Sequence, residues 1–434
     1  MADGVPDKVD KMFFPECKTS HAPIRLALKL KNKAMAPLRN GDYRIYEDSV
    51  AKLSAEGRAG DFAVLFDQKQ KFAGAGLYDP FSPVRVKVLS NSTALPKIGE
   101  ELFLFLAEEA VKKRREYFRE NITNAYRLAN GESDGFPGLV ADKYDSALVL
   151  KIYSAAWLPW AGCIGKCFFT LMPELKYMVI RLSRELTKLP EKDLYGLFDG
   201  KLFSSESIEK AQNWDGKILF RENTLIFEAD LVKGQTTGFF LDQRDNRNEV
   251  GRIAANADVL NVFSYSGGFS LYAAKGGANS VTDVDFSKYA IEESKRNFER
   301  NKNISSVAKC THTGIVGDAF EVMSTLAEKK MQFDIVIVDP PSFAKAGSEI
   351  HNALHSYTVL AKLGARLVRN GGKLVFASCS SRVYAEDLFP AVNGAINEAG
   401  RRFEVIKVTE HAFDHPARFP DSRYLKCEYV KIFR

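Results

Sequence analysis

An α/β chain of several domains, ending in a doubly wound parallel sheet, is predicted by three observations. The second half alternates short apolar strands with amphipathic helical stretches, the order that builds a parallel sheet between helices. The middle repeats strand, helix and strand on a smaller scale, and the first hundred residues hold only short strand-like runs between charged turns. With 434 residues, 45% of them hydrophobic, the chain has apolar mass for two or three cores.

Residues 1–21 mix charges with short apolar runs and lack a signal-peptide core, so they read as a loose tail. In 22–98 the runs Phe62–Phe66, 74–78 and 84–89 read as strands of a small β-rich domain. Residues 100–119 read as an amphipathic helix, with Phe103, Leu106, Ala107, Ala110 and Val111 on one face. Its basic cluster of Lys112, Lys113, Arg114 and Arg115 reads first as a solvated surface and second as a nucleic-acid contact. The middle unit, 99–228, sets strands Ala147–Ile152 and 178–182 around a helix over 155–172. Pro159 and Lys166 break that apolar stretch, so it does not read as a bilayer span. In 229–434 strands are expected at 259–263, 280–284, 335–338 and 373–377, with helices at 288–301 and 355–368.

The net charge of +6 permits a polyanionic partner without demanding one. No pair among the six cysteines has zinc-ligand spacing, and Cys163 and Cys167 read as helix packing. His351/His355 and His411/His415 have the i, i+4 spacing of a helical metal site but no third ligand nearby, so no metal is expected. Reduced thiols and the absent leader fit a soluble cytoplasmic protein.

One candidate ligand site begins at Asn261-Val262-Phe263-Ser264-Tyr265-Ser266-Gly267-Gly268, a strand opening into a small-residue turn. Gly267 and Gly268 let the backbone approach a ligand closely. The turn lacks both the dinucleotide glycine spacing and a phosphate-binding Lys-Ser/Thr, which disfavours NAD and ATP. The next strand ends in Asp283-Val284-Asp285-Phe286, and an acidic residue about 20 positions past a glycine turn can accept both hydroxyls of a ribose. Gly317-Asp318-Ala319-Phe320 follows a third strand, with Asp318 placed for an adenine amino group and Phe320 for the ring. Each Asp alone is more often a helix cap. In this order, without phosphate machinery, they point to S-adenosylmethionine.

A second site sits beside it. The strand at 335–338 ends in Asp339-Pro340-Pro341, and the strand at 373–377 ends in Ser378-Cys379-Ser380. Ligands of open α/β sheets bind outside the carboxyl ends of strands. A carboxylate and a thiol both delivered there suggest a charge partner and a nucleophile facing one substrate, best fitted by a pyrimidine base. The alternative for Cys379 is a buried cysteine packing as a small hydrophobe.

These residues resemble the RlmI-type ribosomal RNA cytosine-5 methyltransferases, which use S-adenosylmethionine. The resemblance is carried by Thr237-Gly238-Phe239-Phe240-Leu241-Asp242-Gln243-Arg244-Asp245-Asn246-Arg247, the turn after Asn261, Asp339-Pro340-Pro341-Ser342-Phe343, Ser378-Cys379-Ser380, Asp414-His415-Pro416 and Tyr424-Leu425-Lys426. Upstream, Tyr126-Arg127-Leu128 and the Gly131 to Leu139 run look like the family's central-domain signature, and 74–88 matches more weakly. The likeness spans roughly 22–434. It implies an N-terminal PUA-like β-barrel that binds RNA, a central α+β domain, and a C-terminal Rossmann-like class I methyltransferase domain. It also implies a ribosomal RNA partner and admits a homodimer.

By resemblance, Phe240, Asp242 and Arg244 serve the cofactor's methionine end. Asn261, Phe263, Ser264, Tyr265, Ser266, Gly267, Gly268, Asp285, Phe286, Asp318, Ala319 and Asp339 line the rest of its pocket. Cys379 is the nucleophile, Asp339 stabilises ring nitrogen 3, and Pro340 presents a carbonyl to the exocyclic amine. Pro341, Phe343, Lys345 and His415 are placed at the RNA, His415 as a loop residue, with Lys345 and Arg382 as basic contacts. Two-cysteine relatives carry another Cys after the Asp-Pro pair, where this chain has Pro341 and Ser342. RlmI-type enzymes share that absence, so the group that removes the carbon-5 proton stays open. The competing expectations are an RNA methyltransferase acting on another atom, such as a guanine nitrogen, and a non-catalytic RNA-binding protein with a relic pocket.

Overall fold

The computed structural model describes residues 22–92, 98–344, 346–419 and 422–434. The expected tail 1–21 and Lys345 lie outside the described residues. The chain divides into two compact units, one running to Arg221 and taking in Ala229–Phe240, the other formed by Glu222–Glu228 and Leu241–Arg434.

The first unit holds two sheets. The six-stranded sheet runs in the order Arg44–Tyr46, Val84–Ser90, Phe72–Tyr78, Phe62–Phe66, Arg25–Leu30, Val50–Leu53. Period-two alternation drives Leu26, Leu28 and Leu30 into its core beside Leu65 and Val86. The five-stranded sheet runs Lys201–Ser204, Tyr177–Leu182, Ala147–Ile152, Leu139–Tyr144, Ala125–Asn130 and shares a core with the helices Glu100–Tyr117 and Ala161–Leu171.

Two expectations change here. The helix expected over 155–172 is a 3₁₀ segment, Ala155–Trp160, followed by the α-helix Ala161–Leu171. Pro159 lies where the geometry changes, because it offers no backbone N–H to a continuous helix. The basic cluster is not one surface. Arg114 is buried and grips Asp134 with both guanidinium nitrogens, at 3.0 and 2.6 Å. Its neighbour Arg115 is exposed and donates to the Leu171 carbonyl.

In the second unit we label β1 (Asp258–Val262), β2 (Ser280–Asp285), β3 (Thr311–Val316), β4 (Phe333–Val338), β5 (Val368–Ser378), β6 (Arg402–Thr409) and β7 (Lys426–Phe433). The longer accompanying helices are α1 (Arg244–Ile253), α2 (Gly268–Lys275), α3 (Lys288–Arg300), α4 (Ala319–Glu328), α5 (Ile350–Leu367) and α6 (Ala385–Glu398), with a short α-helix at Ser305–Lys309. The sheet order is β3-β2-β1-β4-β5-β7-β6. β1 to β5 are mutually parallel, as expected, whereas β7 runs antiparallel to β5 and β6 antiparallel to β7. This C-terminal hairpin is not among the expected strands; β6 is exposed along most of its length and lacks the apolar run of a central strand.

Register explains why the chemistry converges. Val262 of β1 lies opposite Val338 of β4, and Val338 lies opposite Phe376 of β5. The turn after β1, Asp339 and Cys379 therefore emerge side by side at one sheet edge. The antiparallel β7 starts there too, with Lys426 opposite Ser378. The strand order reverses between β1 and β4, the switch point at which open α/β sheets bind ligands. Among the described residues no helix is long and apolar enough to cross a membrane, and no group of three or more His, Cys, Asp or Glu could hold a metal.

Candidate active site

The turn between β1 and α2 is wound tightly. Phe263, Tyr265 and Gly267 have φ of 61°, 47° and 76°, three left-handed residues within five positions. Only the glycine adopts that conformation freely; the other two cost of order 1 kcal/mol or more each and persist because neighbours fix them. Tyr265 N–H donates to Asp285 Oδ2 at 2.9 Å, Ser264 N–H to the Val284 carbonyl at 3.0 Å, and Asn297 Nδ2 to the Ser266 carbonyl at 3.0 Å. Beneath the turn, the buried Asp283 accepts from Ser294 Oγ at 2.5 Å, from His312 Nε2 at 2.8 Å and from Ser270 Oγ. A Cβ on Gly267 would collide with Ser294, so both shape and space demand glycine there. Asp283, unlike Asp285, is not among the residues expected at the site; its signal is a carboxylate inside the strand, between Val281 and Val284.

Four buried side-chain atoms around this turn have no hydrogen-bond partner among the described residues: Asp242 Oδ1, Asn261 Oδ1, Ser264 Oγ and Ser266 Oγ. Buried polar atoms are normally satisfied. A polar ligand carrying an ammonium and hydroxyl groups supplies the missing donors, and the acceptor-rich set suits S-adenosylmethionine. Asp285 presents its carboxylate at the end of β2, with one oxygen on Tyr265 N–H and the other on Ser287 N–H, and Phe286 beside it is 79% exposed. Asp318 caps α4 by accepting from Phe320 and Glu321 N–H, and its side chain is exposed; Ala319 is buried and Phe320 half-buried. Phe240 is half-buried at the end of the first unit.

Other expected residues are committed to structure. Arg244 is buried and donates to Asp414 Oδ1 at 2.7 Å, so its guanidinium is engaged by the protein. Arg247 is likewise buried on Glu222, at 2.8 and 2.6 Å. Burial alone would raise the Asp414 carboxyl, but Arg244 and His415 beside it hold it well below the usual range. His415 lies in the loop between β6 and β7 and is 1% exposed. Phe343 packs its ring on Tyr357 at 5.1 Å, while Pro341 is exposed. Arg382 is exposed just past Cys379.

At the neighbouring strand ends, Asp339 Oδ2 accepts from Gln243 Nε2 at 3.0 Å, and Gln243 is oriented by Asn246 at 2.7 Å. Burial pushes the Asp339 carboxyl up to about 7, and the nearby Asp242 adds to the rise. Cys379 Sγ lies 3.9 Å from the Pro340 carbonyl oxygen. Burial, then Asp339 and Asp242, push its thiol up to about 12. The edge thus holds a protonatable carboxyl, a backbone carbonyl and a thiol that is unionised at rest.

Comparison with known proteins agrees with this geometry. Residues 202–427 match the model of an S-adenosylmethionine-dependent methyltransferase family, and residues 28–91 match that of a PUA-like domain. A protein of Deinococcus radiodurans named ribosomal RNA large subunit methyltransferase is 40% identical over 95% of this chain and 98% of its own length. Proteins named ribosomal RNA large subunit methyltransferase I from Alteromonas mediterranea and Escherichia coli are 32% and 29% identical, over 88% and 93% of this chain and 94% and 98% of theirs. A solved methyltransferase complexed with SAH shares the fold at a TM-score of 0.75 and 22% identity, over 94% of this chain and all of its own.

Proposed function

The chain belongs to the S-adenosylmethionine-dependent methyltransferase family, and on that premise we propose that it methylates carbon-5 of a cytosine in large-subunit ribosomal RNA, with Cys379 as nucleophile. The names of its relatives support ribosomal RNA as the substrate. The single observation that carries the choice of base is the Cys379 thiol set 3.9 Å from the Pro340 carbonyl, on the strand next to Asp339.

Carbon-5 of cytosine is a poor nucleophile until carbon-6 is made tetrahedral. The Cys379 thiolate forms a bond to carbon-6, the displaced electron pair moves towards nitrogen 3, and Asp339, protonated near neutrality, donates its proton there. The Pro340 carbonyl accepts from the exocyclic amine. S-Adenosylmethionine would be held by Asp242, Asn261, the Ser264–Gly268 turn, Asp285 and Asp318, and when bound would supply the methyl group to carbon-5 and leave as S-adenosylhomocysteine. Once carbon-5 is methylated, a base accepts its proton, that electron pair re-forms the carbon-5–carbon-6 double bond, the sulfur–carbon-6 pair returns to Cys379, and nitrogen 3 gives its proton back to Asp339. A base in a duplex cannot reach this edge, so the target is unstacked or flipped. The proposal includes action in the cytoplasm and, by resemblance alone, a homodimer.

The test is transfer of a labelled methyl group to ribosomal RNA, followed by nucleoside analysis. Wild type yields labelled 5-methylcytosine, and Cys379→Ala yields none. A labelled product that persists in Cys379→Ala removes the thiol from the mechanism and moves the target to another atom. Absence of label from wild type as well favours a relic pocket.

A further inference from the structure

Lys426 is a lysine in an improbable place. It opens β7, only 4% exposed, in the run Lys426-Cys427-Glu428-Tyr429-Val430 that is otherwise core. Lysine is almost never buried unless paired. Among the described residues its ammonium reaches no carboxylate within ion-pair distance; the longer-range influence of Glu386 aside, its partners are backbone. It donates to two backbone carbonyls, Ser380 at 2.5 Å and Tyr424 at 3.1 Å. Those carbonyls belong to the two segments that flank the catalytic edge, one of them immediately after Cys379. The antiparallel register, with Lys426 opposite Ser378, fixes this approach.

The charges around the thiol show what a cation does there. Asp339 beyond β4 and Asp242 before α1 both oppose ionisation of Cys379, and burial opposes it more. Tyr357 of α5 bonds Ser378 and carries no positive charge. Glu386 at the start of α6 acts on Lys426 and is itself exposed. Lys426 favours the thiolate, and Cys379 in turn favours the ammonium. Taking Cys379 as the nucleophile, we propose that Lys426 is its positioning residue: the ammonium pins the Ser380 and Tyr424 carbonyls and stabilises the Cys379 thiolate as it forms. Burial draws the lysine down to about 8, so at neutral pH most molecules carry the charge when the thiol must ionise.

The test separates this from the nucleophile assignment, because it reads the thiol and not the product. Cys379 labelling by iodoacetamide is followed by mass spectrometry across pH 6 to 10 in wild type, Lys426→Met and Lys426→Arg, each checked for folding by circular dichroism. Loss of the cation in Lys426→Met slows labelling about tenfold at pH 6 to 7, one pKa unit of thiolate population, the two profiles converging towards pH 10 as wild-type Lys426 loses its charge, while Lys426→Arg stays close to wild type at pH 6 to 7. A Lys426→Met profile that overlays wild type overturns the proposal. Should Lys426→Met not fold, the wild-type fold still answers. The Lys426 side-chain ammonium is titrated by NMR in wild type, where the thiol is still neutral at the lysine's midpoint, and in Cys379→Asp, which places a carboxylate at that position; coupling is reciprocal. A higher lysine midpoint in Cys379→Asp supports the pairing, and an unmoved midpoint overturns it. Cys379→Ser that methylates at the wild-type rate instead defeats the nucleophile assignment, whichever way labelling turns out.

Discussion

Gly267 does two things that no other residue can do at once: it takes a φ of 76°, and it leaves room for Ser294 beneath it. Gly267→Ala therefore weakens S-adenosylmethionine binding by about tenfold or more, by calorimetric titration, since a left-handed non-glycine costs of order 1–3 kcal/mol before any clash. Asp339 gives a pH signature. Its folded carboxyl titrates near 7, above the unfolded value, so the buried charge penalises the fold only once it ionises. Below the unfolded pKa the group contributes nothing; the penalty grows as pH rises and is complete above about 7. Asp339→Asn is thus more stable relative to wild type at pH 8 than at pH 5, by thermal melting at both. Equal differences at the two pH values would deny the raised carboxyl. At this scale the sequence was informative about which residues reach the edge and uninformative about their partners. Cys379 and Asp339 end recognisable strands, but Arg244, Arg247 and His415 look like free polar groups until their partners Asp414 and Glu222 are located. Those partners lie 170, 25 and one position away, so only the last is near in sequence.

Among elements, the helix Glu100–Tyr117 shows how charge patterning misleads. Four basic residues in a row invite a surface reading, yet helical geometry turns Arg114 onto the same buried face as Phe103, Ala107 and Ala110. Its charge is tolerated because Asp134 meets it bidentately, and removing that partner leaves a buried cation unpaired. Asp134→Ala destabilises the protein by about 3–5 kcal/mol in chemical denaturation, whereas an exposed pair such as Lys188–Glu185 is worth under about 1 kcal/mol. The parallel strands of the second unit were readable because strands buried on both faces form unbroken apolar runs. The β6–β7 hairpin was not: Arg402, Glu404 and Lys407 interrupt β6, and Lys426 and Glu428 disguise β7 as a surface strand although both are buried. The residue that stands beside the proposed nucleophile thus entered on the element that sequence patterning described worst.

For the molecule as a whole, a net charge of +6 is a modest lever on a polyanion. Were three backbone phosphates neutralised on binding single-stranded RNA, affinity would fall about twentyfold between 50 and 200 mM salt. Filter binding across that range tests it, and a salt-independent affinity would leave recognition to stacking and shape. Order along the chain was legible at this scale, an N-terminal β-rich region, a mixed middle and a parallel-sheet end, because each has its own hydrophobic period. The compact units do not follow that order: Ala229–Phe240 returns to the first unit after Glu222–Glu228 has contributed to the second. No composition shift marks such a crossing, since it depends on long-range pairing such as Tyr144 with Phe239. The resting state of Cys379 has a pharmacological consequence. With burial pushing its thiol up to about 12, Cys379 reacts only slowly with free oxidants and simple alkylators at cellular pH. On the proposed mechanism, selective inhibition then belongs to decoy substrates: a cytosine bearing fluorine at carbon-5 offers no proton to remove, and would leave the enzyme covalently stalled on its own RNA.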